Sequence, residues 1–412
     1  MAERGRFEKA SVRDAEVAGR TVLVRADLNV PLEGRSVADD ARIRAALPTI
    51  ELLRDRGAAI VLCSHLGRPE GRDPDLSMAP VEARLGELLG TDVALAPAVV
   101  GAEVEAAAGG LEGGEVLLLE NTRFEPGETA NSPELAESLA ALAEIYVNDA
   151  FGAAHRAHAS TEGVAHHLPA YAGLLLEREV RELTAVLDEP ARPLVVVLGG
   201  AKVSDKVGVI DRFLELADEL LIGGAMCFSF FRAQGHETGD SLVEEEGIEL
   251  AREALASAGE SSCELRLPTD LVIGDSFSAE AEPSVVDGVD VPAGMMGLDV
   301  GPKTSSAYAN RILKAGTVFW NGPMGAFELA PFAAGTRAIA DAVAGTGATT
   351  IVGGGDSGAA LAKFGLAERV GWLSTGGGAS LELIEGKRLP GVEALMDGGR
   401  GTGDRGEKAT MA

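Results

Sequence analysis

One pattern constrains this chain more than any other. Short, almost wholly apolar runs alternate with longer stretches rich in Ala, Leu and Glu. In the first half the runs are TVLVRADL, AIVLCSHL, EVLLLEN and EIYVNDAF. In the second half they are PLVVVLGG, ELLIGGA, LRLPTDLVIG, GTVFWNG, TTIVGGG and RVGWLSTGG. A strand apolar at nearly every position must be covered on both faces. Stretches such as ARIRAALPTIELLRDRG and SPELAESLAALAEI read as the covering helices. The alternation therefore predicts an α/β fold of parallel sheets with helices on both faces. At 412 residues the chain is longer than the roughly 250–300 that one hydrophobic core sustains. Two α/β domains are expected. The break is expected near residues 170–190, where LLLEREVRELTAVLDEPARP reads as a helix followed by a proline-bounded linker.

Charge and cysteine content narrow the partners. The formal net charge is -28, from 36 basic and 64 acidic residues, so nucleic acid and anionic membranes should be repelled. No apolar run approaches the ~18–20 residues of a membrane helix. The opening MAERGRFEKASVRDAE has no apolar segment of the signal-peptide kind. Cys63, Cys227 and Cys263 are too few and too scattered for a disulfide framework or a Cys-x-x-Cys metal site. They are expected to be buried as small apolar residues. These features predict a cytoplasmic, reduced protein. Acidic residues are many and lysines few, with none between Lys9 and Lys202. That balance suits a cytosol of high salt, where screening tolerates self-repulsion. The last stretch, DGGRGTGDRGEKATMA, is expected to be disordered, because it has almost nothing to bury.

Nearly every strand run ends in a polar or glycine cluster: RADLNVP, SHLGRP, ENTRF, NDAFGAAHRAH, GGAKVSDK, WNGPMG, GGGDSG and STGGG. Open α/β sheets bind ligands at the carboxyl ends of their strands, so these clusters mark candidate sites. Those of the first half are basic. Arg25, His65, Arg68, Arg123 and Arg156 follow strands, and Arg42 opens a helix. Arginine forks match phosphate and carboxylate, so a small ligand carrying both groups is expected there. Asp27 and Asn29 would face the same way if the first strand reached them, and could accept bonds from substrate hydroxyls. His155 and His158, spaced i and i+3, lack a carboxylate or cysteine to complete a metal site. His166 and His167 read as ordinary loop residues.

The clusters of the second half are glycine-rich and point to phosphate. Lys202 and Lys206 follow Gly199 and Gly200 and are expected on one helix face. Thr375 is expected to cap a helix whose first amides belong to Gly376, Gly377 and Gly378, and exposed amides of that kind bind anions. In IVGGGDSGAA, Gly353, Gly355 and Gly358 spell a dinucleotide-binding G-x-G-x-x-G. No acid stands roughly 20 residues onward to hold a ribose, so a nicotinamide-dependent oxidoreductase is poorly supported. Asp356 would repel a bare pyrophosphate, but it suits a Mg²⁺ that bridges phosphate oxygens. Ser357 could donate to a phosphate.

The strings VRADLNVP, ARIRAALPTI, SHLGRP, LLENTRF, DAFGAAHRAHAST, GGAKVSDK, VFWNGPMGAFE, GGGDS and STGGGASLELIEGKRLPGV resemble phosphoglycerate kinase, in order, over about residues 15 to 396. The resemblance implies two Rossmann-like domains joined by a hinge, with EGKRLPG (385–391) as part of it. An amino-terminal 3-phosphoglycerate-binding domain is expected over 1–175 and a nucleotide-binding domain over 176–392. The segment 393–412 is expected to return toward the first domain. The implied reaction moves the acyl phosphate of 1,3-bisphosphoglycerate to MgADP, giving 3-phosphoglycerate and ATP, reversibly. By motif, Arg25, Asp27, Asn29, His65, Arg68, Arg123 and Arg156 would form the 3-phosphoglycerate site, with Arg42 as the catalytic arginine. Lys202 would accompany the transferring phosphoryl, with the amides of Gly376, Gly377 and Gly378. Lys206 would hold nucleotide phosphates, and Asn321 and Pro323 would line the nucleotide pocket. Glu328 would take the ribose hydroxyls, while Gly200 and Gly224 would flank adenine. Gly355, Asp356 and Ser357 belong to the same pocket, with Asp356 as the Mg²⁺ ligand. Nothing in the sequence requires more than a monomer. The sequence departs from the family pattern at Gly371 and Trp372, and its end runs past the usual family terminus.

Overall fold

The computed structural model describes residues 7–398. These fall into two compact units, residues 7–181 with 388–398, and residues 182–387. The chain passes from the first to the second within the helix Leu174–Asp188 and returns between Lys387 and Arg388. The stretch from 399 onward, expected to be disordered, lies outside the described residues.

The first unit is built on six parallel strands. They are β1 (Thr21–Arg25), β2 (Ala59–Cys63), β3 (Ala94–Leu95), β4 (Val116–Leu118), β5 (Ile145–Asn148) and β6 (Ala170–Ala172), in the order β3-β4-β2-β1-β5-β6. The apolar runs bury both faces. Val22 and Val24 join Ile43, Ile50 and Ile60 in one core cluster, while Leu23 between them is equally buried and points to the opposite face. The helix Ala41–Asp55 buries Ile43, Ala46, Ile50 and Leu53, a spacing that lays one side against the sheet. Its Pro48 is exposed, so the missing donor falls on the solvent side. The carboxy-terminal residues extend the edge: Met396 N donates to Ala170 O at 3.0 Å and Ala10 N to Met396 O at 2.8 Å.

The second unit also carries six parallel strands: β7 (Leu194–Leu198), β8 (Glu219–Ile222), β9 (Glu264–Arg266), β10 (Thr317–Asn321), β11 (Thr349–Gly353) and β12 (Trp372–Leu373). Their order is β9-β8-β7-β10-β11-β12. Counted from β7 this is 3-2-1-4-5-6, the doubly wound order. The direction of winding reverses between the first and fourth strands, and the loops there diverge to leave a crevice at the carboxyl ends. Trp320 on β10 is wholly buried, and its indole N–H donates to Gly322 O at 2.7 Å, which satisfies the polar edge of the ring.

The stretch LRLPTDLVIG, expected as one strand, is two. It breaks at Pro268, which has no amide donor. Asp270 then turns away from the sheet. Its carboxylate accepts from Lys303 N at 2.9 Å and Thr304 N at 2.8 Å, in the first turn of the helix Pro302–Ile312. Beyond it, Leu271–Gly274 becomes the middle of a three-stranded antiparallel sheet with Ser284–Val286 and Met296–Val300.

Candidate active site

In the first unit the loops after β1, β2, β4 and β5 carry the basic residues. Strand β1 stops at Arg25, so it does not reach Asp27 and Asn29, which lie in the loop beyond it. Both are tied into the site by neighbours. One Arg42 nitrogen donates to both Asp27 oxygens at 3.0 Å, from the first turn of its helix. Asn29 Oδ1 accepts from Gly67 N at 2.8 Å. The Gly67 carbonyl accepts from Arg123, which joins the SHLGRP and ENTRF loops.

Arg68, Arg123 and Arg156 line a cavity of about 380 Å³ with Glu70, Glu125 and Thr129. Among the described residues none of the three forms an ion pair. Burial, then Arg156, Arg25 and Arg68, hold Arg123 below the ordinary guanidinium value. Glu70 and Glu125 share the lining and Glu128 opposes the shift, but none is within ion-pair distance of the three, so an anion bound among these cations would be stabilised. Such a place in a chain of net charge -28 is not a by-product of composition.

Arg25 is different. It is wholly buried, and its bonds run to protein groups. It donates from Nε to Ser160 Oγ at 2.8 Å and from one terminal nitrogen to His65 Nδ1 at 3.0 Å. It stands behind His65. Neither Glu128 nor Ser160 carried a sequence signal, and both are buried beneath the same wall. His158 Nδ1 lies 3.9 Å from Glu128 Oε1.

In the second unit a cavity of about 510 Å³ opens where the strand order predicts it. Gly200, Gly224, Pro323, Glu328 and Asp356 are among the residues that line it. Its walls are stacked backbone. Gly200 N donates to Pro323 O at 3.0 Å, and Gly224 N donates to Met324 O at 3.0 Å. At Gly224, φ is +66° and a β-carbon would lie 2.4 Å from Gly200 N, so only glycine fits. The opposite end is apolar, with Phe228, Leu242, Phe277, Met296 and Leu298. Sequence reasoning missed these, because Phe228 comes from the helix Cys227–Ala233 after β8 and the others from the antiparallel sheet and the loops around it. Leu242 and Phe277 are more than half exposed, an unusual cost for large apolar side chains outside a binding surface. Asp299 sits below them with its oxygens on Val300 N and Gly335 N, and burial raises its carboxyl to about 7.

The phosphate end departs from expectation in detail. Lys202 and Lys206 do not share a helix face: residues 201–206 form turns, and Lys206 is the N-cap of Val207–Leu216. Lys206 is buried and donates to Asn321 Oδ1. Burial lowers its ammonium, with Asp205 and Asp356 opposing. Lys202 is exposed. Asp356 lies in the first turn of the helix Gly355–Lys363, capped by Gly354 at φ +92°. Ser357 is buried, and its Oγ accepts from Gly322 N at 2.7 Å, so it ties two loops together. Gly377, not Thr375, caps the helix Gly378–Ile384, and Ser374 Oγ accepts from Gly376 N at 3.1 Å. Lys363 donates to the carbonyls of Phe327 and Glu328 at 2.9 and 3.1 Å, which fixes the loop bearing Glu328.

Among the described residues no three His, Cys, Asp or Glu side chains gather as a metal site. That fits Mg²⁺, which takes one or two carboxylates and completes its shell with water and substrate phosphates. Asp356 is exposed at the cavity wall and acts on the Lys206 ammonium; Asp240, Asp299 and Glu328 line the same cavity.

Comparison with known proteins agrees with this geometry. The family model described as phosphoglycerate kinase matches residues 12–387. The chain is 55% identical to the phosphoglycerate kinase of Roseiflexus castenholzii over 392 residues, 94% of this chain and 99% of that protein. It is 55% identical to that of Moorella thermoacetica over 390 residues, again 94% and 99%. The solved phosphoglycerate kinase structure from Coxiella burnetii superposes with a TM-score of 0.84 at 41% identity, covering 94% of this chain and 98% of that one. The structure from Pyrococcus horikoshii gives 0.84 at 32%, with the same coverage.

Proposed function

The chain belongs to the phosphoglycerate kinase family, and from that premise we propose how its two cavities divide the reaction. The enzyme transfers the acyl phosphate of 1,3-bisphosphoglycerate to ADP, reversibly, as a step of glycolysis. In our reading, 3-phosphoglycerate is held in the first unit by Arg68, Arg123 and Arg156 on its phosphate, with Asp27, Asn29, Arg42 and His65 toward the carboxyl and hydroxyl. MgADP or MgATP is held in the second unit. The base lies between the glycine loops and the apolar end, the ribose at Glu328, and the phosphates at Lys206 and Asp356. The observation that carries the assignment is the trio of arginines without acidic partners, which only an anionic ligand would complete.

The acceptor is a carboxylate and the leaving group a phosphate oxygen, so no general base is required. Catalysis rests on position and charge. Arg42, Lys202 and the Gly376–Gly378 amides are assigned to the moving phosphoryl, where charge develops. Bound Mg²⁺ would neutralise charge on the nucleotide phosphates, with Asp356 as its protein ligand. Direct transfer requires the bound substrates to meet. We therefore infer movement of one unit against the other about the chain crossings in Leu174–Asp188 and at Lys387–Arg388, which would also exclude water. We read the enzyme as a cytoplasmic monomer.

The test is a coupled assay with ATP, Mg²⁺ and 3-phosphoglycerate. Arg68→Ala should raise the KM for 3-phosphoglycerate at least tenfold and leave the nucleotide KM unchanged. An effect confined to the nucleotide would overturn the division of sites. Chelation of Mg²⁺ should abolish turnover, and restored metal should recover it.

A further inference from the structure

The contact between Arg25 and His65 has a chemical consequence for the 3-phosphoglycerate site. A guanidinium only donates hydrogen bonds, so His65 Nδ1, 3.0 Å from an Arg25 terminal nitrogen, must accept. A neutral imidazole that accepts at Nδ1 carries its proton on Nε2. A second proton on Nδ1 would point at the guanidinium. We propose that Arg25 is a positioning residue that holds His65 as the neutral Nε2–H tautomer, giving the 3-phosphoglycerate site a fixed, uncharged donor; this rests on the reading of that site given above.

Arg25 cannot leave this role. It is wholly buried on β1. Its Nε donates to Ser160 Oγ at 2.8 Å, and one terminal nitrogen donates to Ala26 O at 2.5 Å. Its charge is balanced inside the protein. Ser160 Oγ in turn donates to Glu128 Oε1 at 2.5 Å, and Ser160 N donates to Glu128 Oε2 at 3.0 Å. Glu128 is also wholly buried. Arg25, Ser160 and Glu128 thus form a buried cation–hydroxyl–carboxylate row, which keeps the guanidinium in place.

The surroundings of His65 agree. The charged and titratable groups that act on it are Arg25 from β1, Arg42 from the helix Ala41–Asp55, Arg123 from the loop after β4, and His158 from the loop after β5. Glu128 stands beyond Ser160. Burial first, then these groups, pull the imidazole well below its ordinary value. Among the described residues no protein group takes the Nε2 side of the ring. An anion beside an ordinary imidazole would raise its pKa and draw in a proton. Here the substrate binds without proton uptake at His65.

The experiment is ¹⁵N NMR of the full chain with labelled histidine, which has six imidazoles to resolve. His65 is assigned by the loss of its signals in His65→Gln. In the native protein the His65 nitrogens should keep the pattern of a neutral Nε2–H ring from pH 5 to 8. Titration within that range, or an Nδ1–H pattern, overturns the proposal without any variant. Arg25→Met alone would strand the Glu128 charge, so the variant is Arg25→Met with Glu128→Gln. In it His65 should titrate, and the ratio of variant to native KM for 3-phosphoglycerate should fall several-fold from pH 8 to pH 6. If His65 still resists protonation there, burial alone excludes the proton and Arg25 loses the assignment. Adding 3-phosphoglycerate to the native protein separates the two readings. An unmoved Nε2 signal would reject the site assignment, whatever the tautomer.

Discussion

Single residues divide into those that await ligand and those that hold the frame. In the proposed mechanism Lys202 is assigned to the first kind: it is exposed, while Lys206 is already bonded to Asn321. Lys202→Ala should therefore lower kcat about 100-fold or more and change the ADP dissociation constant little; isothermal titration beside steady-state kinetics checks both, and near-native kcat removes the role. Asp149 belongs to the second kind. Its Oδ1 accepts from Leu175 N and Leu176 N at the start of the helix Leu174–Asp188, while its Oδ2 is buried without a partner. Burial outweighs the Thr49 hydroxyl and these backbone bonds and raises the carboxyl to about 6. Because the folded value lies above the unfolded one, the native state binds the extra proton between about pH 4 and 6. Stability from this group is therefore present at low pH and lost as pH rises through 6. Asp149→Asn keeps the Oδ1 acceptor and cannot ionise. Between pH 5 and 7.5 the native protein should lose about 1.4 kcal/mol more than the variant, read from urea midpoints; equal losses would show that Asp149 does not titrate there.

At the scale of elements, the strands were legible because burial on both faces leaves an unbroken apolar run, and no other local structure needs one. Two-residue strands such as Ala94–Leu95 were not legible, since pairing at a sheet edge defines them and no local pattern does. LRLPTDLVIG looked continuous because its apolar residues straddle Pro268; only the pull of Asp270 toward the amides of Lys303 and Thr304 shows that the chain changes sheets. The glycine loops were legible as loops, but the reason for each glycine was not. Gly224 shows it: the constraint is the neighbouring loop, since the nearest atom to an added β-carbon is Gly200 N. Gly224→Ala should raise the nucleotide KM more than tenfold, lower Tm by several degrees and spare the KM for 3-phosphoglycerate. A nucleotide KM within twofold of native would mean that the loops separate freely and do not shape the pocket.

For the whole molecule the decisive quantity is charge. A net -28 on 412 residues implies self-repulsion that screening relieves, whereas binding of anionic substrates to the arginine cavity weakens as salt rises. The two effects should separate by experiment. From low salt to molar KCl, Tm should rise while the KM for 3-phosphoglycerate also rises. A Tm that is flat or falls with KCl would reject adaptation to a saline cytosol.

The sequence by itself determined the fold class, and it pointed to the carboxyl ends of the strands and to the residue types assigned there to the two proposed sites. These follow from local rules: which faces are apolar, where runs stop, and which side chains stand at the stops. Tertiary structure alone decided which of those side chains face a cavity. Arg25 and Arg68 are indistinguishable as arginines after strands, yet one is sealed behind His65 by Ser160 and Glu128 and the other lines open space. That difference depends on residues more than a hundred positions away. Local sequence carries no record of which distant carboxylate or hydroxyl will meet a given side chain, and that meeting sets its burial, its protonation and its task.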